Sequence, residues 1–190
     1  TRILLDCLNE NPKTKTIIFG TPTTINTKHF QNKLVKNGIS KNRIISQECP
    51  GLATNISNDF EGVKVSKLIH KYVKNTLGSL PNEETPLIVF LGCTHYAYRE
   101  KFFHDSFNLE GYKNLNILNP NFASALFLRD CVFLGEKVLK LDRNNIFLEF
   151  ISPYTIPEQE EKTLTKLINP VSSSTSLALQ NAIICPELVK

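Results

Sequence analysis

Apolar residues along this chain alternate between two patterns, short unbroken runs and longer stretches in which they recur at helical period. The first run, residues 16–20 (TIIFG), predicts a buried strand. Residues 27–37 then place Phe30, Leu34 and Val35 on one helical face, with Gly38 suited to the position just past the helix end. Residues 43–46 predict a second short strand. Beyond the turn Cys49-Pro50-Gly51, the side chains Val65, Leu68, Ile69, Tyr72 and Val73 recur at helical spacing within 61–77, and the stretch from Pro81 to Pro86 closes that helix. Residues 87–91 (LIVFL) are apolar throughout, as in a strand covered on both faces. A helix over 98–108, a strand over 115–118, a helix over 122–139, a strand over 146–151 and a helix over 158–168 complete the series. Strands alternating with helices predict the α/β class, with a mainly parallel sheet, helices on both faces and right-handed crossovers. After Pro170 the stretch VSSSTS reads as polar linker followed by a weakly apolar end, with no role assigned.

Composition narrows the class without changing the fold. Of 190 residues, 41% are apolar and 21% charged, the make-up of a folded chain of one or two domains rather than a disordered one. The formal charge is +4, with 22 Lys and Arg scattered among 18 Asp and Glu. Scattered charge disfavours a dedicated nucleic-acid or membrane-surface module. No apolar run approaches the roughly 18 to 20 residues of a membrane span, and the start lacks the pattern of a cleaved leader. The expectation is a cytoplasmic protein with no membrane partner and no direct nucleic-acid partner. The five cysteines, Cys7, Cys49, Cys93, Cys131 and Cys185, show no CxxC spacing, so reduced thiols are expected rather than a disulfide scaffold or zinc ribbon. The chain starts at Thr1 and contains no Met, as expected of a piece of a longer protein.

In an open parallel sheet, ligands bind beyond the carboxyl ends of the strands. Those ends carry Gly20-Thr21-Pro22-Thr23-Thr24, Cys49-Pro50-Gly51, Gly92-Cys93-Thr94-His95-Tyr96 and Asn119-Pro120-Asn121. Cys93 follows a wholly apolar strand and precedes a helix, where amide N–H groups favour a thiolate. His95 can stabilise that thiolate as a cation or hydrogen-bond a substrate, and Thr94 offers a hydroxyl and an N–H to a carboxylate. The residues alone also allow Cys93 to be a buried structural thiol. A metal site of Cys49, Cys93 and His95 fits no common zinc spacing, so no metal is expected. Cys131 reads as a core thiol, Cys7 as part of an ordinary helix, and His29, His70 and His104 as solvated imidazoles among lysines. The hydroxyl-rich turn Thr21 to Thr24 lacks the glycine patterns of nucleotide-binding loops.

Gly92-Cys93-Thr94-His95-Tyr96 at the end of an apolar strand resembles the GCTHY motif of the glutamate racemases in the aspartate/glutamate racemase superfamily. Phe19 to Ile25 (FGTPTTI) resembles the family's GTxxTI segment, with Thr27 and Phe30 standing where Ser and Tyr are usual, and Cys49-Pro50 matches its CP pair. The similarity runs over about residues 16–168. It implies the superfamily's three-layer sandwich: 1–114 as a second α/β domain, 115–170 as the segment returning to a first domain, and 171–190 as a tail. It also implies racemisation of L- and D-glutamate without pyridoxal phosphate or any other cofactor, supplying D-glutamate for peptidoglycan and cell shape. On this resemblance Cys93 is a proton-transfer thiol, His95 assists it, Thr94 binds substrate, and Thr21, Thr23 and Thr24 contact the carboxylate or amino group. Glutamate is then the small-molecule partner, and a homodimer is compatible with the family.

The sequence departs from the family in several places. The second catalytic cysteine, usual in a CNTA-like motif, is missing, as are the acidic-Ser and YG segments that hold the amino acid. Ser57 stands where Glu is frequent eight residues after the CP cysteine, with Asp59 and Glu61 nearby. The expectation is the second half of a racemase, holding one of two cysteines and inactive alone. Two alternatives stand beside it: a one-cysteine decarboxylase or isomerase of the superfamily, and an inactive racemase-like binding protein.

Overall fold

The structure, a computed structural model, describes residues 2–80, 84–132 and 147–189. Contacts group the chain into two units, Thr1–Ile56 with Gly62–Phe127 and Ser57–Glu61 with Leu128–Lys190.

The first unit is built on four parallel strands, β1 (Lys15–Gly20), β2 (Ile44–Glu48), β3 (Leu87–Leu91) and β4 (Leu115–Leu118), in the order β2-β1-β3-β4. Register pairs Ile17 with Ile45 on one side and with Val89 on the other. Alternation divides the strand residues between two cores. Ile17, Phe19, Val89 and Leu91 face helices α4 (Leu52–Asn58), α5 (Val63–Leu77) and α6 (Glu100–Leu109), where the Phe19 ring meets those of Phe103 and Phe107 edge-on at 5.1 and 6.2 Å. Ile18, Ile88 and Phe90 face α1 (Arg2–Glu10) and α3 (His29–Lys36), through Leu4, Leu8 and Leu34. The α/β class, the mainly parallel sheet and the helices on both faces are therefore as expected from the pattern. Arg43 ties the end of α1 to the sheet by donating to the carbonyls of Leu8 (2.6 Å), Thr14 (2.8 Å) and Asn11 (3.0 Å), a cation satisfying helix-terminal acceptors.

Several elements match their sequence expectation in detail. α3 ends with Gly38 at φ 89, Gly38 N–H donating to Val35 and Ile39 N–H to Leu34, while the buried Leu34 and Ile39 join the same core. The expected helix 27–37 is α3, begun two residues later; ahead of it lies a helix that was not foreseen, α2 (Pro22–Asn26), set off from α3 by Lys28 in the left-handed region at φ 52. Ile25 and Phe30 would lie about 140° apart on one continuous helix. The break lets both pack on the sheet, with the Phe30 ring 5.0 Å from that of Phe90. The expected helix 98–108 begins earlier, as a 3₁₀ segment over Thr94–Arg99 that continues into α6. α4 was not foreseen.

Helix α7 (Pro120–Val132) starts close to its expected place; its expected continuation to 139, and the Cys131 side chain, lie outside the described residues, as does Pro81. In the second unit α8 (Glu158–Ile168) matches its expectation, whereas the strand expected over 146–151 is only β5 (Ile151–Ser152), with Ile146 outside the described residues. The stretch read as a linker tail is structured. It forms α9 (Ser173–Gln180) and β6 (Ile183–Ile184), which pairs in parallel with β5. Ser172 caps α9 by accepting from Thr175 N–H, and the α8 and α9 contact is lined by buried hydroxyls, Ser176 donating to the Thr165 carbonyl at 3.3 Å.

Candidate active site

The chain leaves β1 for β2 on one side and enters β3 on the other, so the carboxyl ends of β1 and β3 flank the crevice where such sheets bind ligands. The two strand ends approach closely there. Gly92 N–H donates to the Phe19 carbonyl at 2.7 Å, and a Cβ on Gly92 would stand 2.8 Å from that oxygen, which only glycine avoids.

Cys93 follows in extended conformation (φ −139, ψ 136) at the head of the 3₁₀ segment. Its sulfur makes no capping hydrogen bond to the segment's amides. Its partner is His95 Nδ1, at 3.9 Å. Both residues are half-buried, and the Cys93 side chain packs against the aromatic sheet-face core. Thr94 is exposed, and its carbonyl accepts from Asn121 Nδ2 at 3.0 Å. Asn119 prepares that contact, its side-chain oxygen accepting from Asn121 N–H and its amide donating to Glu100 Oε2, each at 3.0 Å. The Asn-Pro-Asn run after β4 was the available signal for this clamp, to which the sequence reading gave no role.

Thr21, Thr23 and Thr24 share the same sheet edge but have different tasks. Thr21 caps α2, its hydroxyl accepting from Thr24 N–H at 3.2 Å and lying 2.9 Å from the Thr24 hydroxyl. The Thr23 side chain is exposed. Cys49 is buried; its N–H donates to the Gly20 carbonyl at 2.8 Å, and its thiol points to the Gln47 carbonyl at 3.7 Å. Burial pushes the Cys49 thiol up to about 12, so it stays protonated. Among the described residues, no three His, Cys, Asp or Glu side chains gather as metal ligands. Cys7 packs against the core on the other sheet face, and burial also raises its pKa. His29 and His104 are exposed, while His70 faces Glu110 at 3.2 Å. No described helix is long and apolar enough to cross a membrane.

Fold and site together define a parallel α/β protein with a thiol and an imidazole paired at the switch point of its sheet. No protein-family model matches the chain. Curated relatives do: it is 30% identical over 88 residues to the glutamate racemase of Clostridium novyi (strain NT), and 37% identical over 87 residues to that of Clostridium botulinum (strain Okra / Type B1). Each match spans 46% of this chain and 32% of the relative, so the chain spans about a third of the curated relatives' length. Among solved structures it resembles a glutamate racemase isoform from Bacillus anthracis (TM-score 0.63, 18% identity, 87% of this chain and 58% of that one). It also resembles the glutamate racemase from Francisella tularensis subsp. tularensis SCHU S4 in complex with D-glutamate (TM-score 0.61, 17% identity, 87% and 57%). The chain is a relative of the glutamate racemases, an isomerase family.

Proposed function

We propose that this chain supplies one side of a cofactor-independent glutamate racemase site, in which Cys93 takes or delivers the Cα proton. The observation that carries the reading is the Cys93 and His95 pair at the switch-point crevice, in a chain whose sequence relatives are glutamate racemases. Inversion at Cα requires a base on one face of the substrate and an acid on the other. As base, the Cys93 thiolate takes the proton and becomes a thiol; a second thiol on the opposite face gives its proton to Cα and becomes a thiolate. In the reverse direction the roles exchange. His95 is placed to hydrogen-bond the Cys93 sulfur in either state. Thr94, and the Thr21 and Thr24 pair, would meet the carboxylate, whose charge grows as the Cα proton leaves; Thr23 belongs to the same edge.

The second thiol has no counterpart in the crevice among the described residues: Cys49 is buried and protonated, and Cys7 lies across the sheet. In this reading the opposite face comes from a first racemase domain, to which the stretch 115–170 would belong. The whole protein would then work in the cytoplasm, supplying D-glutamate to peptidoglycan. The test is to express the intact reading frame and incubate it with pure L- or D-glutamate, without cofactor, beside its Cys93→Ala variant. Expected is the opposite enantiomer from either start, with the rate falling about 10²–10⁴-fold in the variant. Undiminished inversion by the variant would remove Cys93 from the reaction. The presence of one thiol in the described crevice favours a second reading, one-sided proton delivery by a decarboxylase or isomerase, which predicts no inversion of glutamate.

A further inference from the structure

The side chains of Asn119, Asn121 and Glu100 form a linked set at the carboxyl edge that the proposed reaction leaves without a task. They join the turn after β3 to the starts of α6 and α7, all within the first unit. Asn119 stands just before α7, and its side-chain oxygen accepts from Asn121 N–H at 3.0 Å, the bond of a helix cap. Pro120 between them fixes the backbone at the first helical position, where no N–H is needed. Asn119 Nδ2 donates to Glu100 Oε2 at 3.0 Å, which orients the Asn119 amide and ties α7 to α6. Capping accounts for Asn119. It does not account for the Asn121 amide, which leaves its own helix and donates to the Thr94 carbonyl at 3.0 Å.

The place of that carbonyl gives the bond its consequence. Two peptide planes, Cys93 to Thr94 and Thr94 to His95, separate the thiol residue from the imidazole residue. The first is held inside the turn, the Cys93 carbonyl accepting from Tyr96 N–H at 3.1 Å. The second carries the Thr94 carbonyl, so Asn121 holds it from outside. A 3₁₀ segment has poorer internal hydrogen-bond geometry than an α-helix, and Thr94 is exposed, which makes an outside donor the more useful. Rotation of that plane would swing His95 away from the Cys93 sulfur, which lies 3.9 Å from Nδ1. A side-chain amide suits the task because it donates without adding charge beside the thiol and imidazole.

We propose that Asn121 is a positioning residue for the Cys93 and His95 pair, its amide fixing the peptide plane between Thr94 and His95 and held in place by Asn119 and Glu100. The purpose assigned to this device rests on the racemase reading, but its test uses neither substrate nor a second catalytic thiol. Alkylation by iodoacetamide near neutral pH is followed on the full 190-residue chain by peptide-resolved mass spectrometry, with Cys7 and Cys185 as internal controls. The variants are Asn121→Ala, His95→Ala and the two combined. Loss of one hydrogen bond predicts Cys93 alkylation slowed about two- to tenfold in Asn121→Ala, with the Cys7 and Cys185 rates unchanged. In the His95→Ala background Asn121→Ala should slow Cys93 no further, because the bond acts through the placing of the imidazole. A second pair of variants keeps the test valid if Asn121→Ala does not fold. Asn119→Asp sets a carboxylate against Glu100 and should slow Cys93; adding Glu100→Gln, whose amide can donate to that carboxylate, returns the net charge to that of wild type and should restore the rate. Unchanged Cys93 rates in the folded single variants overturn the proposal, as does a rate that Glu100→Gln fails to restore. So do independent, multiplying effects of Asn121→Ala and His95→Ala, or an equal change at all three thiols, which would mean general loosening. Racemisation failing while Cys93 alkylation responds as expected would instead count against the racemase reading alone.

Discussion

The two units solve the burial problem to different degrees. In the first, every residue of β3 is buried, and both sheet faces are covered by helices whose contact residues, among them Leu4, Leu34, Ile69 and Phe103, are wholly inaccessible. In the second, two-residue strands pair along two positions, while Phe147 is 83% exposed, Tyr154 69% and Ile151 50%. Among its described residues the buried side chains are mostly hydroxyl-bearing, Ser57, Thr163, Thr165 and Ser176, with Leu179 the apolar exception. Contacts of that kind recover little hydrophobic free energy, and a pairing of two such short strands is marginal by itself. The difference teaches where the candidate chemistry can be held rigidly: Cys93 and His95 stand on the unit that closes its own core.

The largest test of this contrast is a matched pair of truncations. Phe103→Ala should cost about 3–5 kcal/mol in denaturant unfolding, whereas Phe147→Ala should stay within about 0.5 kcal/mol. Equal effects would break the comparison. Next in size is Gly92→Ala, whose new Cβ would sit 2.8 Å from the Phe19 carbonyl and push β1 and β3 apart. A cost of about 1–3 kcal/mol is expected, with amide exchange accelerated in β1 and β3 and not in β5 or β6. The smallest effect sharpens the contrast within the site. The Cys49 thiol is raised from its ordinary 9.0 to about 12, so its stabilising contribution is complete below pH 9 and is lost as pH rises from 9 towards about 12. Cys49→Ala should flatten the alkaline fall in unfolding midpoint over that window; an identical fall in both proteins would contradict the buried neutral thiol.

Much of the first unit was legible because its signals are local. The LIVFL run needs burial on both faces wherever it is placed, Gly38 supplies the left-handed residue that ends α3, and the glycine, thiol, hydroxyl and imidazole of residues 92–95 are adjacent in the chain. The residues misread depend on partners distant in sequence. Lys28 separates α3 from the unforeseen α2 because Ile25 and Phe30 must reach one sheet face. The tail after Pro170 becomes helix and strand because α8 and β5 are there to receive it, and Phe147 to Phe150 stay outside a strand despite their apolar character.

The sequence by itself determined the class of fold, the principal elements of the first unit and the stretch that carries the candidate chemistry, because hydrophobic period, glycine placement and residue type act over a few neighbouring positions. Tertiary structure alone decided the strand order β2-β1-β3-β4, the passage of Gly92 across the Phe19 carbonyl and the placing of Asn121 on Thr94. It also decided which thiol is sealed in the core and which lies half-buried beside an imidazole. Those outcomes depend on which apolar faces cover one another once the chain has closed, and no short window of sequence contains both sides of such a contact.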